Sequence, residues 1–333
     1  MKRARTTGLL LLALTALPAT PAAARLNVVA TTEHLAGIAR TVGGDRIDVT
    51  YLARGAEDPH AVQPKPSFAA RLNRADLLIV NGQGLEAAWL PSVIAASTNS
   101  RVQERKPGYL DASAGASLIP YVPSELHVPV LFNAVLAINT LFAKRGQEVA
   151  LGNNHHYWLD PANGDAIAKA IAARLALLDP RDADLYHANF VRFSEGLPGR
   201  LAEWDALMKP FEGTGIVAYH RSWTYLARRH GLKVVGYVEP REPIVLGPTN
   251  LYNPPDRAER DALVTLMAER RVRLVLTERY QDLRLADEIA GRAGARLLVL
   301  PSSISASEGF DDYAQLFDHI YRQLVRALER SGG

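Results

Sequence analysis

Strand-forming runs occur in two sets along this chain, and a long stretch without any divides them. In the first set, residues 26–30, 48–52 and 76–80 are short apolar runs of the kind that form buried strands. Amphipathic segments lie between them, and 33–42, 67–73 and 85–96 are predicted helices, the last kinked at Pro91. In the second set, strands are predicted at 216–219, 233–238, 272–277 and 296–300, with helices at 221–230, 256–270, 283–293 and 312–329. Strands that alternate with helices imply parallel sheets covered on both faces.

The dividing stretch has a different pattern. Residues 163–178 predict one helix, and 180–209 a longer one, with Asp179 as N-cap and Pro180 in the first turn. Apolar residues recur at Leu185, Ala188, Phe190, Phe193, Leu197, Leu201, Trp204 and Leu207, which is helical spacing. Gly196 and Pro198 interrupt the stripe and predict a kink. A helix of ~30 residues at ~1.5 Å each reaches ~45 Å, long enough to act as a strut. The expected fold is therefore α/β with two lobes, each a mostly parallel sheet flanked by helices, joined by one long rigid helix. The boundaries predicted are 1–24, a leader; 25–162, the first lobe; 163–212, the connecting helices; and 213–333, the second lobe. A length of 333 residues suits two such domains.

The leader has its own signature. Lys2, Arg3 and Arg5 precede a leucine-rich run over 8–17, and Pro18, Pro21 and three alanines at 22–24 follow it. This is the order of a secretory signal peptide, with cleavage expected after Ala24. The apolar run is about half the ~20 residues that a membrane span needs. Its removal also changes the electrostatics. The whole chain carries 38 basic and 35 acidic residues, but all three charges of the leader are basic. A mature chain without net charge gives no support for nucleic-acid binding. The chain has no cysteine, which excludes disulfides, thiolate metal sites and a lipid anchor on an N-terminal cysteine. A free periplasmic protein is expected, and a monomer.

Histidine is the chemically informative residue type. There are nine. His60 follows a predicted strand in a Glu-Asp-Pro-His turn. His156 sits in His155-His156-Tyr157-Trp158-Leu159-Asp160-Pro161, just before a helix. His220 lies at the end of a strand and opens a helix. Ligands in open α/β sheets bind beyond the carboxyl ends of strands, and neutral imidazole is a common Zn2+ ligand. Spacing alone does not choose between His155 and His156. His34, His127, His187, His230 and His319 have no such setting and are expected to be solvated.

Four stretches carry a family resemblance: 57–67 (EDPHAVQPKPS), 75–82 (ADLLIVNG), 156–161 (HYWLDP) and 217–232 (VAYHRSWTYLARRHGL). With them the chain, from Leu26 to about Leu328, resembles the zinc- and manganese-specific solute-binding proteins of ABC importers. The resemblance implies metal ligands at His60, His156 and His220, choosing His156 by its spacing to Trp158-Leu159-Asp160-Pro161. It also implies partners: a membrane permease with its ATPase. Two departures stand out. Many relatives carry an acidic, histidine-rich loop where this chain has only 145–154. Manganese binders, and some zinc binders, place an aspartate soon after the last strand, where this chain reads Leu300-Pro301-Ser302-Ser303. Glu278 is then the nearest acidic candidate for the fourth ligand; Glu57 and Glu239 are weaker ones, and a water is the alternative. Three imidazoles favour Zn2+ over the oxygen-preferring Mn2+. The same layout would serve a zinc-dependent hydrolase with Glu278 as base, although no motif ties an acid to that role.

Overall fold

The computed structural model describes residues 25–121, 126–127, 152–239, 242–243 and 254–330. The leader expected at 1–24 and most of the stretch 145–154 lie outside the described residues. The first lobe holds four parallel strands: β1 (Leu26–Thr32), β2 (Ile47–Ala53), β3 (Leu77–Val80) and β4 (Tyr109–Asp111), in the order β2-β1-β3-β4. Helices α1 (Glu33–Gly43), α2 (Pro66–Leu72) and α3 (Leu90–Ala96) accompany them. A short pairing of β5 (Leu126–His127) with β8 (Glu242–Pro243) links the halves of the chain. The second lobe's parallel sheet uses β6 (Gly215–Ala218), β7 (Lys233–Tyr237), β9 (Leu274–Thr277) and β10 (Arg296–Val299), in the order β10-β9-β6-β7.

Both sheets therefore share one topology: the first strand lies between the second and the third, and the fourth is outermost. The chain reverses its direction of travel at the first strand, and the crevice beyond that point is where such sheets bind ligands. In the second lobe this crevice lies between β6 and β9, which His220 and Glu278 follow directly or nearly so. The central strands are largely apolar, as sheets covered on both faces require; every residue of β3 and β9 is buried.

The connecting region contains α4 (Asn163–Leu178) and α5 (Ala183–Met208). The long helix begins three residues later than predicted, after a 3-10 turn over Pro180–Asp182. Asp179 does not cap it by its side chain but accepts a bond from Arg181 Nε at 3.1 Å. The helix runs 26 residues, through Gly196 and Pro198, and spans about 39 Å. Four further helices complete the second lobe: α6 (Thr224–Arg229), α7 (Arg257–Glu269), α8 (Leu283–Arg292) and α9 (Tyr313–Glu329). Two expectations are corrected locally. The helix predicted over 85–96 starts only at Leu90, because Pro91, lacking an N–H, fits the first turn and not the interior. Strand β4 escaped prediction because three residues are too few to show a period.

The core explains how the lobes are joined. Along β1, Val28 and Ala30 point into one apolar cluster and Val29 into another, as the two-residue period of a strand demands. Ile216, Ala218, Leu274 and Leu276 enter the same cluster from the second sheet, while Val217 and Val275 face outward into a third. Ile171 and Leu175 of α4, Trp204 and Met208 of α5, and Phe317 and Ile320 of α9 complete it. The inner faces of both sheets are thus buried in one continuous core. Helix α9 is pinned to the strut by the Trp204 indole N–H, which donates to Asp318 at 2.9 Å. Among the described residues no helix is long and apolar enough to cross a membrane.

Candidate metal centre

Four histidines converge where the lobes meet: His60, His155, His156 and His220 offer ligand atoms that all lie within 4.8 Å of one another. Each arrives on a different piece of local structure. His60 stands on the loop between β2 and α2, which is held by the Trp89 indole N–H, just before α3, donating to the Pro59 carbonyl at 2.9 Å. His220 lies two residues beyond β6, before the short 3-10 turn Arg221–Trp223. His155 and His156 lead into the turn Tyr157–Leu159. That segment is tied to both lobes. The Asn81 amide donates to the His155 carbonyl at 2.9 Å, the Tyr157 hydroxyl to the Asn81 carbonyl at 2.8 Å, and the Trp158 indole to the Ser302 carbonyl at 2.7 Å. Asn154 accepts the His156 N–H at 2.9 Å and donates to the Arg221 carbonyl at 3.0 Å.

The imidazole edges face inward. His60 Nε2 is 2.9 Å from His155 Nε2, and His220 Nε2 is 3.0 Å from His156 Nε2. With Zn–N bonds of ~2.0–2.1 Å, neighbouring corners of a tetrahedron are roughly 3.3–3.4 Å apart, so small adjustments turn the cluster into a coordination shell. Two rings are also held from behind. His60 Nδ1–H donates to Asp58 and His220 Nδ1–H to Glu239, both at 2.6 Å. A carboxylate on Nδ1 leaves Nε2 free for a metal and makes it more basic. The His156 Nδ1 is buried without a hydrogen bond.

Electrostatics favour a neutral ring at His156. Burial, reinforced by the neighbouring histidines, drives the His156 pKa well below its ordinary value. A neutral imidazole is the form that binds metal, so His156 is ready to do so near neutral pH. Glu278 has a different position. It is fully buried, and burial pushes its carboxyl up to about 7. Its field reaches His220 and His60, yet it is not one of the four converging residues. Of the other acids, Glu57 accepts the Arg54 N–H at 3.0 Å, and Glu239 serves His220.

The structure therefore brings together His60, His156 and His220 and adds His155, which the motif spacing passes over. Two histidines expected to be solvated are buried instead. His34 stacks on Trp158 with ring centroids 4.4 Å apart, and His230 shares a hydrogen bond of 2.8 Å with the Tyr321 hydroxyl. Neutral imidazole fits such sites because one ring nitrogen can donate and the other accept. His187 is exposed, and the side chain of His127 lies outside the described residues.

A two-lobed α/β fold with an imidazole cluster at the seam defines a solute-binding protein of the metal type. A family model described as zinc-uptake complex component A, periplasmic, matches residues 28–327, and the chain belongs to that family. It is 29% identical to the high-affinity zinc uptake system protein ZnuA of Paracoccus denitrificans, over 97% of this chain and 98% of that protein. It is 28% identical to the manganese ABC transporter substrate-binding lipoprotein PsaA of Streptococcus pneumoniae, over 62% of this chain. That match spans 60% of the lipoprotein's own length. In fold it resembles the crystal structure of ZnuA, with a TM-score of 0.69 and 23% identity over 91% of this chain and 99% of the other. A Mn-bound periplasmic metal binding protein from Candidatus Liberibacter asiaticus is similar at a TM-score of 0.67 and 20% identity, over 91% of this chain and all of its own.

Proposed function

We propose that this chain is the metal-capturing component of a periplasmic ABC importer, which takes Zn2+ at the seam between its lobes and hands it to a membrane permease and its ATPase. The observation that carries this reading is the convergence of His60, His155, His156 and His220. His155 replaces Glu278 as the fourth ligand. Four nitrogen donors without a carboxylate suit Zn2+ and disfavour Mn2+, which prefers oxygen. The similarity to a zinc uptake system protein and to a manganese ABC transporter substrate-binding lipoprotein supports a divalent cargo.

The hydrolase reading loses support at the same point. A catalytic zinc keeps a coordination position open for water, and four imidazoles fill the tetrahedron. Export through the leader 1–24, cleavage after Ala24, a monomeric state, and the lobe boundaries 25–162, 163–212 and 213–333 belong to the same proposal. The shared core and the strut favour a small tilt of the lobes over a wide hinge, so the permease would release the ion by separating loops at the seam.

Calorimetry on the chain without residues 1–24 tests this reading. One Zn2+ per chain is expected, with affinity reduced at least about a hundredfold in His60→Ala, His155→Ala, His156→Ala and His220→Ala. Tighter binding of Mn2+ than Zn2+, or undiminished Zn2+ binding by the four variants, would overturn it.

A further inference from the structure

Strand β3 ends at Val80, and Asn81 is the first residue beyond it, at the crevice of the first sheet. The chain then curls sharply. Gly82, Gln83 and Gly84 have φ of 77°, 54° and 86°, a left-handed run that glycine adopts freely and glutamine does not. The curl returns the buried Glu86 carboxylate to its own start. Glu86 accepts the Asn81 N–H at 2.7 Å, the Gly82 N–H at 3.2 Å and the Thr31 hydroxyl of β1 at 2.5 Å. A glutamine held at positive φ marks a constraint that asks for a functional reading.

What the curl holds is the segment that carries two of the four converging histidines. Gln83 Oε1 accepts the Asn153 amide at 3.0 Å. Asn81 Nδ2 donates to the His155 carbonyl at 2.9 Å, and the Asn81 carbonyl accepts the Tyr157 hydroxyl at 2.8 Å. Asn81 has 0% of its surface exposed, so solvent does not compete for these bonds. Its Oδ1 lies beside the His34 ring, which stacks on Trp158.

The rings of the cluster are held in different ways. His60 and His220 are backed by a carboxylate at Nδ1, and His156 donates its N–H to Asn154. His155 is gripped by its carbonyl, and the gripping group is the Asn81 amide. The depth to which the His155 ring enters the shell is therefore set through its backbone.

We propose that Asn81 is a positioning residue that keeps the His155 ring in the metal shell and thereby sets the preference for Zn2+ over Mn2+. The proposal rests on the reading of the four histidines as the metal site. Its effect is selective. When His155 drifts out, Zn2+ exchanges a preferred nitrogen donor for water, whereas Mn2+, which prefers oxygen, loses little by the same exchange. Weakening the grip lowers Zn2+ affinity more than Mn2+ affinity, while a general loosening of the fold lowers both alike.

The test measures Zn2+ and Mn2+ affinities by competition with a chelator. Asn81→Leu keeps a branched side chain and both backbone hydrogen bonds and removes the amide. It should lower Zn2+ affinity by about tenfold or more and Mn2+ affinity by less than about threefold. In a His155→Ala background the same substitution should lower Zn2+ affinity by less than about threefold, because the ring it positions is gone. Unchanged Zn2+ affinity in Asn81→Leu, equal losses for the two metals, or an equal cost with and without His155 overturns the proposal. Circular dichroism checks folding. If Asn81→Leu does not fold, Tyr157→Phe, which releases the other end of the clamp, should narrow the Zn2+/Mn2+ ratio by roughly threefold, and an unchanged ratio overturns the proposal. Failure of the four-histidine reading is seen separately, as undiminished Zn2+ binding in His155→Ala alone.

Discussion

His155 and His156 are consecutive residues, yet both rings enter one site. In an extended strand, neighbouring side chains point to opposite faces. Here the backbone bends at His156, which has φ −86° and ψ 28° and opens a 3-10 turn, and the two ring centroids come within 4.5 Å. A motif match, which counts back from Trp158-Leu159-Asp160-Pro161, selects one position and has no means of seeing that the bend brings in its neighbour. The pair gives a sharp contrast in titration by a competing chelator. His155→Ala should weaken Zn2+ binding about as much as His156→Ala, whereas Glu278→Gln should change it less than about threefold. Equal and small losses for His155→Ala and Glu278→Gln would return His155 to a bystander's role. The carboxylates behind the rings have a graded effect. Asp58→Asn and Glu239→Gln keep an acceptor for Nδ1–H but lose the charge, so roughly a 10- to 100-fold loss of Zn2+ affinity is expected for each. Affinities within a factor of two of the parent would show that the hydrogen bonds at 2.6 Å do not tune the metal.

At the scale of elements, most strands and helices were legible, since each carries a period or a continuous apolar run long enough to read. Helix α4 occupies the predicted residues 163–178, and α7 starts behind Asp256 with a reciprocal capping box to Glu259. Where the reading failed, local sequence competed with context. Gly196 and Pro198 suggested a kink, but the long helix continues through both, with Leu197 buried against the core and Pro198 exposed. Packing against α9 and α1 holds it in place, with Asn189 donating to the Val42 carbonyl at 2.9 Å. A helical glycine on an exposed face carries an entropic cost without a packing reason, and nothing lies within 4 Å of a Cβ added at Gly196. Gly196→Ala should therefore stabilise the protein by about 0.5–1 kcal/mol in urea unfolding, with Zn2+ affinity unchanged. A lower unfolding midpoint would mean that the glycine serves a bend the helix needs.

On the scale of the whole molecule, the shared core couples metal capture to stability. A ligand that binds only the folded chain stabilises it by RT ln(1 + [L]/Kd), about 4 kcal/mol at a thousandfold excess over Kd. Zn2+ should raise the melting temperature, and the rise should vanish as acid protonates the imidazoles. The metal-free protein has its own pH dependence. Burial holds His34 at about 3 and His230 at about 4, both below the ordinary 6.5. Unfolded chains take up these protons first, so stability is complete above pH ~6.5 and is lost as pH falls toward the folded values. A tenfold weaker hold on the proton in the folded chain corresponds to about 1.4 kcal/mol. Urea midpoints at pH 7.5 and 4.5 measure this, and equal midpoints would show that neither ring is held neutral. His230→Gln should flatten the slope between them.

Sequence by itself determined the two α/β halves, the helical strut, the lack of thiolates and three of the four converging histidines. These are properties of local pattern: a period, a composition, a short motif. Tertiary structure alone decided that the inner faces of the sheets share one core. It also decided that His34 and His230 are buried, and that His155 joins the cluster while Glu278 stays outside it. The reason is physical. Periodicity records which face of an element is apolar, but not which other element covers that face. A ligand set is a matter of distances among residues up to 160 positions apart, from His60 to His220. Those distances exist only once the two sheets are packed against their common helices.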